Sequence, residues 1–266
     1  MMASLRRIYA MLCRYTYLQR RSLPRTLNMF FWPVMELLVW GYVTLYLQRA
    51  ATSIAGVIVF LIGAMIFWDL LYRSQQAVSL GVMEEVWTRN FINTLITPLR
   101  LWEWMVATFL YGLLKGLVVT VLLAMLAVWL YHFELWRLGW WLGLFAFEVL
   151  IFGWAVGLMT AGLLFRYGYA AEALIWGIPF LIQPFSAVFY PLSVLPSWAQ
   201  TIARCLPSTY VFEGMRSVIQ QHTLQWSQLG AATGLNALYL LLGALAFRAL
   251  FIASRASGRL ARIGVE

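Results

Sequence analysis

A long apolar run is interrupted by Phe189-Tyr190-Pro191-Leu192-Ser193-Val194-Leu195-Pro196-Ser197-Trp198, and the chain continues through Leu206-Pro207-Ser208-Thr209-Tyr210-Val211-Phe212-Glu213-Gly214-Met215-Arg216. Proline lacks a backbone N–H and clashes with the preceding helical turn, so prolines this close together cannot belong to one straight spanning helix. Aromatic and amphipathic sequence of this kind between two hydrophobic runs indicates backbone that lies at a membrane surface or dips partway into it. We therefore predict a re-entrant segment over residues 191–216.

The composition indicates an integral membrane protein. Of the 266 residues, 63% are hydrophobic and only 11% are charged, and the mean hydropathy is +0.78. A soluble domain could not cover so much apolar surface with so few charges. We predict an all-α integral membrane protein in which residues 1–266 form a single transmembrane domain in contact with the lipid bilayer.

The charge and the possible metal ligands argue against other classes. A net charge of +9 would suggest nucleic acid in a soluble protein. In a membrane protein, positive residues anchor the cytoplasmic ends of the spans, so we expect no nucleic-acid partner. Cys13 and Cys205 are too few and too far apart for a disulfide framework or a metal site, and His132 and His222 are isolated. We expect no metal and no cofactor in this chain.

Six hydrophobic segments approach the roughly 20 residues that a helix needs to cross a bilayer. They are residues 28–47, 54–72, 103–131, 139–165, 171–190 and 229–252. Before them, residues 1–25 place Leu5, Ile8, Leu12 and Tyr15 at helical spacing among several arginines, which predicts an amphipathic helix at the membrane interface. A cleaved signal peptide is the alternative, and the length of the following apolar run disfavours it.

Arginines are distributed unevenly between the two ends of these segments. The N-terminal segment, the 73–102 connection and the C-terminal end are rich in arginine, whereas the opposite connections hold only Arg49, Arg137, Arg204 and Arg216. Cytoplasmic loops carry the excess of basic residues. We therefore predict that both termini are cytoplasmic and that the re-entrant segment faces outward.

An amphipathic pattern occupies residues 84–97, between the second and third segments. One helix face would carry Trp87, Phe91 and Leu95, and Pro98 would end the helix. The pattern is compatible with an interfacial helix that only anchors the loop, or with a lever presented to a soluble partner. The candidate lever residues are Glu84, Glu85, Trp87, Arg89, Phe91, Leu95, Thr97 and Pro98.

The whole arrangement resembles the permease subunit of an ATP-binding-cassette exporter of the type-two permease family. The resemblance covers nearly the full chain and is most specific in the outward segment, while Thr97-Pro98-Leu99 resembles the end of the family's cytoplasmic coupling helix. It implies that residues 84–97 receive motion from an ATPase and that the outward segment shapes the exit. The outward residues concerned are Phe189, Tyr190, Pro191, Pro196, Trp198, Pro207, Tyr210, Glu213 and Arg216.

The resemblance also implies partners. Such permeases pair with two ATP-binding subunits and with a second permease copy, often an identical chain, in the bacterial inner membrane. The sequence contains no GxxxxGK[ST] phosphate loop, since Lys115-Gly116 lacks both the preceding glycine and the following hydroxyl residue. ATP and Mg are therefore expected on the partner subunits.

Charged residues inside the predicted spans need polar neighbours. Glu36, Lys115 and Glu148 fall near the middle of their spans, where an unpaired charge is costly. We expect Lys115 to approach Glu36, Glu148 or both, either as a structural pair or at a substrate or proton site. Helical spacing also predicts two ion pairs, Asp69 with Arg73 and Glu213 with Arg216.

Small residues predict where helices approach closely. GxxxG patterns occur at Gly112 and Gly116, at Gly139 and Gly143, and at Gly153 and Gly157, among other places. Close packing between helices is their simplest use, and a seam between two permease copies is a weaker inference.

The leading functional hypothesis is the permease subunit of an ATP-driven exporter of an amphipathic, lipid or lipid-linked glycan substrate. The alternatives are a polytopic membrane enzyme acting on a lipid and a non-enzymatic membrane scaffold. No nucleophile motif, metal cluster or pair of histidine and carboxylate residues at a membrane edge supports the enzyme.

Overall fold

The computed structural model describes residues 2–50, 55–88, 90–133, 139–221, 223 and 225–257. This described part of the chain is helical and contains no strand, in agreement with the all-α prediction. Its helices are α1 (Met2–Arg21), α2 (Leu23–Ala50), α3 (Ala55–Trp87), α4 (Phe91–Ile96), α5 (Leu101–Tyr131), α6 (Trp141–Tyr167), α7 (Glu172–Ile182), α8 (Ser197–Arg204), α9 (Pro207–Gln221) and α10 (Trp226–Ala256).

Four helical segments in the described residues are long and apolar enough to cross a membrane. They are Leu23–Leu47, Leu101–Tyr131, Trp141–Phe185 and Trp226–Ala256. They contain the predicted spans 28–47, 103–131 and 229–252 whole and most of 139–165. The count of six spans stays a prediction.

The predicted segment 54–72 is only the first half of a longer helix. α3 runs for 33 residues to Trp87, which corresponds to about 50 Å of helix. Its second half is more polar and holds Arg73, Gln75 and Glu85 in buried positions. The apolar pattern ended the segment early because it does not reveal that Arg73 donates to the Met29 carbonyl of α2 and that Glu85 binds Arg14 of α1.

The predicted segment 171–190 extends too far at its C-terminal end. α6 stops at Gly168, whose φ of +57° suits a residue without a side chain. After the turn Gly168–Ala171, α7 ends at Ile182 and the turn Gln183–Phe185 contains Pro184. Residues 186–190 are not helical, because Pro184 interrupts the hydrogen-bonding pattern and Ala187 adopts a positive φ of 51°.

Two short helices form the segment predicted over 191–216. α8 begins directly after Pro196, and α9 begins at Pro207. Proline is favoured at the first helical positions because the N–H that it lacks would have no partner there. The prolines therefore start new helices in this segment.

The predicted continuous helix over 84–97 is wrong. Thr88 and Asn90 lie between α3 and α4 and are not helical. The backbone N–H of Asn90 donates to the carbonyl of Glu85 at 3.0 Å, a contact that closes the end of α3. Trp87 therefore belongs to α3, and Phe91 belongs to α4. α4 does end before Pro98, as predicted, with Thr97 extended.

α6 lies at the centre of the helical arrangement, between α3 and α10. A Cβ atom added at Gly153 would lie 2.4 Å from the carbonyl oxygen of Leu71, and one at Gly157 would lie 2.8 Å from that of Gln75. The predicted close packing is therefore confirmed at this glycine pair.

The glycine patterns at 112–116 and 139–143 differ from one another. A Cβ atom at Gly112 would lie 2.3 Å from that of Ala77, and one at Gly116 would lie 2.9 Å from the Leu70 side chain. A Cβ atom added at Gly139 or at Gly143 would have no described atom of a neighbouring element within 4 Å, so this pattern packs against no described helix.

Replacing Gly153 with alanine is expected to destabilise the α3–α6 contact. The new methyl group would meet backbone that cannot move aside alone, and overpacking of this kind costs about 1–3 kcal/mol. Thermal unfolding of the detergent-solubilised chain, followed by size-exclusion fluorescence, should show a lower midpoint for Gly153→Ala. Gly143→Ala on the same helix is the matched control and should keep the wild-type midpoint. Equal midpoints for the two variants would contradict the packing described.

Candidate functional site

The N-terminal helix α1 packs against the ends of α3 and α5. Its inner face buries Ile8, Met11 and Tyr15. The Tyr15 hydroxyl accepts a hydrogen bond from Trp104 Nε1 at 2.7 Å, and burial raises the pKa of this phenol above its ordinary value. The Tyr111 hydroxyl donates to Gln19 Oε1 at 3.2 Å. α1 is therefore attached to α5 along its length.

Three arginines in residues 1–25 bind carboxylates of the same end of the molecule. Arg7 binds Glu103 in a bidentate pair, with Nε and Nη2 at 2.7 and 2.6 Å from the two carboxylate oxygens. This hydrogen bonding raises the pKa of Arg7. The other two pairs are Arg14 with Glu85 and Arg25 with Glu84. We call these six residues the arginine–carboxylate clamp.

Glu85 is the centre of the clamp, and its side chain is fully buried. Arg14 Nη1 lies 2.6 Å from one carboxylate oxygen. The other oxygen accepts hydrogen bonds from Asn90 Nδ2 at 2.9 Å and from Thr94 Oγ1 at 2.8 Å. Burial of a carboxylate is costly unless it is paired and hydrogen-bonded, and here the partners come from α1, from the turn after α3 and from α4. One buried charge thus joins three segments.

The turn between α6 and α7 lies at the same end. Trp87 Nε1 donates to Glu172 Oε2 at 3.4 Å, and the Tyr169 hydroxyl donates to the Val86 carbonyl at 3.5 Å. The end of α3 therefore contacts α1, α4, α5 and this turn. These contacts bring the N-terminal helix, the end of α3 and the turn Gly168–Ala171 to one end of the molecule.

The C-terminal end of α4 is exposed on the surface of the molecule. Ile96 is 77% exposed, and Thr97 and Pro98 are also exposed. Thr97 Oγ1 donates to the Thr94 carbonyl at 2.7 Å and holds the end of α4. Of the other candidate lever residues, Arg89 and the side chains of Phe91 and Leu95 lie outside the described residues.

The sequence did not predict that Arg7, Arg14, Arg25 and Glu103 hold the ends of α1, α3 and α5 together. From the sequence, the arginines were expected only to anchor the cytoplasmic side. Residues 1–35 contain six arginines and no acidic residue, whereas Glu84, Glu85 and Glu103 lie in one later region. This separation of opposite charges was a signal that could have predicted the clamp.

At the opposite end of the molecule, Arg216 on α9 contacts a carboxylate, a backbone carbonyl and an aromatic ring. It forms the predicted ion pair with Glu213, Nη2 donates to the Ala187 carbonyl at 3.1 Å, and Cζ lies 4.1 Å from the Phe60 ring centroid. Glu213 also accepts from the Leu192 backbone N–H at 2.8 Å. The pair thus ties α9 to the chain after α7 and to the beginning of α3.

The aromatic residues predicted for this segment hold its turns. The hydroxyl of Tyr190 donates to the Pro184 carbonyl, and that of Tyr210 donates to the Arg204 carbonyl. The ring of Phe189 stacks on Trp40 with centroids 4.0 Å apart. Trp198 is 63% exposed and touches the ring of Phe185 at its edge.

The prediction for the intramembrane charges is confirmed in part. The Asp69–Arg73 pair is confirmed, with Nε 2.6 Å from the carboxylate, and Arg73 also donates to the Met29 carbonyl. Glu36 lines a small crevice beside Asp69. Among the described side chains, no ion pair joins Lys115 to Glu36 or to Glu148.

Glu148 finds its partners on α10. Thr233 Oγ1 donates to Glu148 Oε1 at 2.6 Å, and Asn236 Nδ2 donates to both the carboxylate and the backbone carbonyl of Glu148. Lys115 is not among these partners, and its expected approach to Glu36, Glu148 or both stays a prediction. Two uncharged donors stabilise this carboxylate because they project from the helix that packs directly against α6.

Long apolar helices and the family match together define a multi-pass membrane protein. The ABC-2 type transporter model matches residues 6–219, most of the chain, and the chain belongs to this family. The resemblance to the type-two permease family is thereby confirmed. The chain is the membrane component of an ABC transporter and is not itself an ATPase, and permeases of this family typically partner with ATP-binding subunits. No curated protein matches the chain significantly.

Replacing Glu85 with alanine is expected to release α4 from the end of α3. The change removes the acceptor of Asn90 and Thr94 and leaves Arg14 without its carboxylate. Hydrogen exchange of backbone amides in residues 90–97 should become at least about tenfold faster, which corresponds to about 1.4 kcal/mol of lost local stability.

Glu84→Ala is the matched control for this change. It removes the same charge one residue earlier, but Glu84 binds Arg25 and accepts no hydrogen bond from the described side chains of α4. Exchange in residues 90–97 should stay near the wild-type rate. Equal acceleration in both variants would mean that charge alone, and not the Glu85 contacts, holds α4.

Replacing Arg216 with lysine is expected to loosen the packing of α9 against the chain after α7, even though the charge is kept. A lysine ammonium cannot reproduce the planar fork that reaches Glu213 and the Ala187 carbonyl together and lies over Phe60. The thermal midpoint should fall for Arg216→Lys. Arg204→Lys, an exposed position on α8, is the control and should have little effect. A wild-type midpoint for Arg216→Lys would show that the fork geometry is unimportant.

Proposed function

We propose that this chain is the permease subunit of an ATP-driven exporter in which the arginine–carboxylate clamp and α4 receive motion from partner ATP-binding subunits. The observation that carries the proposal is the Glu85 carboxylate, which joins α1, α3 and α4 through one set of buried contacts. A force applied at α4 would act on α3 through these contacts, because Thr94 of α4 donates a hydrogen bond to Glu85 of α3.

The partner surface in this proposal is the exposed tip of α4. Ile96 is a large apolar side chain with 77% of its surface exposed, and Thr97 and Pro98 follow it. An apolar residue supported by a rigid turn is suited to enter a pocket of a partner protein. The proposed partners are two ATP-binding subunits that carry ATP and Mg.

The outward segment has a supporting role in the proposal. Arg216 connects α9 to Phe60 near the start of α3 and to Ala187 after α7. A displacement of α3 by the partner would therefore reach the segment at residues 187–221. We propose that this segment forms the exit for an amphipathic, lipid or lipid-linked glycan substrate.

The proposal also covers the membrane, the topology and the second copy of the chain. Both termini lie in the cytoplasm of a bacterium, the chain spans the inner membrane six times, and a second identical copy forms the other half of the pathway. Large apolar side chains on α2 and α5 are exposed, including Trp32, Tyr46, Val121 and Trp129. They supply surface for lipid and for the second copy.

Replacing Ile96 with aspartate is expected to weaken the binding of the ATP-binding subunits. A charge at the centre of an apolar contact should reduce their recovery with the solubilised chain by about tenfold or more. Companion proteins that carry a phosphate-binding loop would be quantified after purification from membranes, together with substrate-stimulated ATP turnover. Wild-type chain without any such companion would contradict the proposal.

Val194→Asp is the matched control. Val194 is an apolar residue in the outward segment with 67% of its surface exposed, so the variant introduces the same charge at the opposite end. It should retain the companion proteins at the wild-type level. Equal recovery for Ile96→Asp and the wild type would show that α4 is not the partner surface.

A further inference from the structure

The six arginines of residues 1–35 fall into two sets of three. Arg7, Arg14 and Arg25 bind Glu103, Glu85 and Glu84. The others, Arg6, Arg20 and Arg21, are exposed, and no carboxylate in the described part of the chain pairs with them. Because residues 1–35 contain no acidic residue, this second set leaves three uncompensated positive charges on one short helix.

Helical periodicity places the unpaired set on the side of α1 that faces away from α3 and α5. Arg6 and Arg20 are 14 residues apart, close to four turns of about 3.6 residues, so they lie on one stripe. The buried residues Ile8, Met11 and Tyr15 occupy the opposite side. The exposed residues that surround the arginines are Met2, Leu5, Tyr9 and Tyr17. We call these four residues and Arg6, Arg20 and Arg21 the α1 outer face.

The chemistry of the α1 outer face fits a particular surface. Tyr9 is 68% exposed and Leu5 is 60% exposed. Contact of this apolar surface with water is unfavourable, so its burial in a membrane interface would be favourable. Tyrosine rings favour the headgroup level of a bilayer, and arginine binds phosphate through two parallel hydrogen bonds. Each basic residue near an anionic membrane surface adds a favourable contribution that decays within a Debye length.

We propose that the α1 outer face binds the headgroups of anionic phospholipids. Because the three arginines are positively charged, the face should bind a negatively charged lipid surface more tightly than a zwitterionic one. α1 then bridges the membrane surface and the clamp, since Arg14, on the flank of the same helix, binds Glu85. The inference concerns lipid binding by α1 alone and stands whether or not the proposed transport function is correct.

Cys13 provides a position from which to test the proposal. It is exposed and lies one helical turn after Tyr9, beside the α1 outer face. In the protein used for the test, the other cysteine, Cys205, would be replaced by serine. A fluorophore on Cys13 of the full chain would be reconstituted in mixed vesicles of phosphatidylcholine and phosphatidylglycerol. Brominated chains on one lipid or the other then report which headgroup is enriched beside α1.

Brominated phosphatidylglycerol should quench the fluorophore at least about twofold more than brominated phosphatidylcholine at the same mole fraction. The ratio should fall toward one in Arg6→Gln/Arg20→Gln/Arg21→Gln. It should also fall in about 1 M salt, where the Debye length shortens to about 3 Å. The matched control Arg166→Gln/Arg248→Gln/Arg255→Gln removes the same number of charges elsewhere and should keep the wild-type ratio.

Two results would overturn the proposal. One is equal quenching by the two lipids in the wild-type chain. The other is an unchanged ratio in the triple variant of the α1 outer face while size exclusion and thermal unfolding show that it is folded. Fluorescence that no lipid quenches but that an added ATP-binding subunit shields would assign the face to a protein partner and would also overturn the proposal.

Discussion

A carboxylate can be buried only where charged or hydrogen-bonding partners surround it, and Glu85 brings this constraint to the end of α3. Its partners come from α1, from the turn at Asn90 and from α4. This requirement helps to fix the position of α1 across the ends of α3 and α5. The Arg7–Glu103 pair likewise holds α1 against the first turn of α5. The cytoplasmic side proposed for this protein thus combines buried carboxylates with the apolar packing of α1 on α3 and α5.

α3 connects this charged end to the segment that Arg216 holds at the opposite end of the molecule. Phe60 and Glu85 are 25 residues apart on one helix, which corresponds to about 38 Å. At the far end Arg216 contacts Phe60 and the Ala187 carbonyl. Along its length α3 lies against the Gly153 surface of α6 so closely that a methyl group would not fit. A helix held at both ends and along one side is suited to transmit displacement with little bending.

Prediction from the sequence succeeded where the interaction partners are close along the chain. The pairs Asp69–Arg73 and Glu213–Arg216 followed from helical spacing, as did the end of α4 before Pro98. It failed where a distant residue decided the outcome. Glu148 binds Asn236, 88 positions away, and helical spacing contains no information about such a contact. The continuous helix over 84–97 failed for a related reason, because the amphipathic pattern did not reveal that α3 ends at a turn.

By itself the sequence determined the helical class, the membrane setting and the location of the proline-rich segment. These properties follow from composition, hydrophobic length and the missing N–H of proline, which act on each stretch of chain separately. Only the tertiary structure decided which arginines of α1 pair with a carboxylate and which have no carboxylate partner in the described part of the chain. A buried ion pair requires two side chains to meet within about 4 Å, and the packing of α1 on α3 and α5 determines that Arg14 meets Glu85 while Arg6 remains exposed.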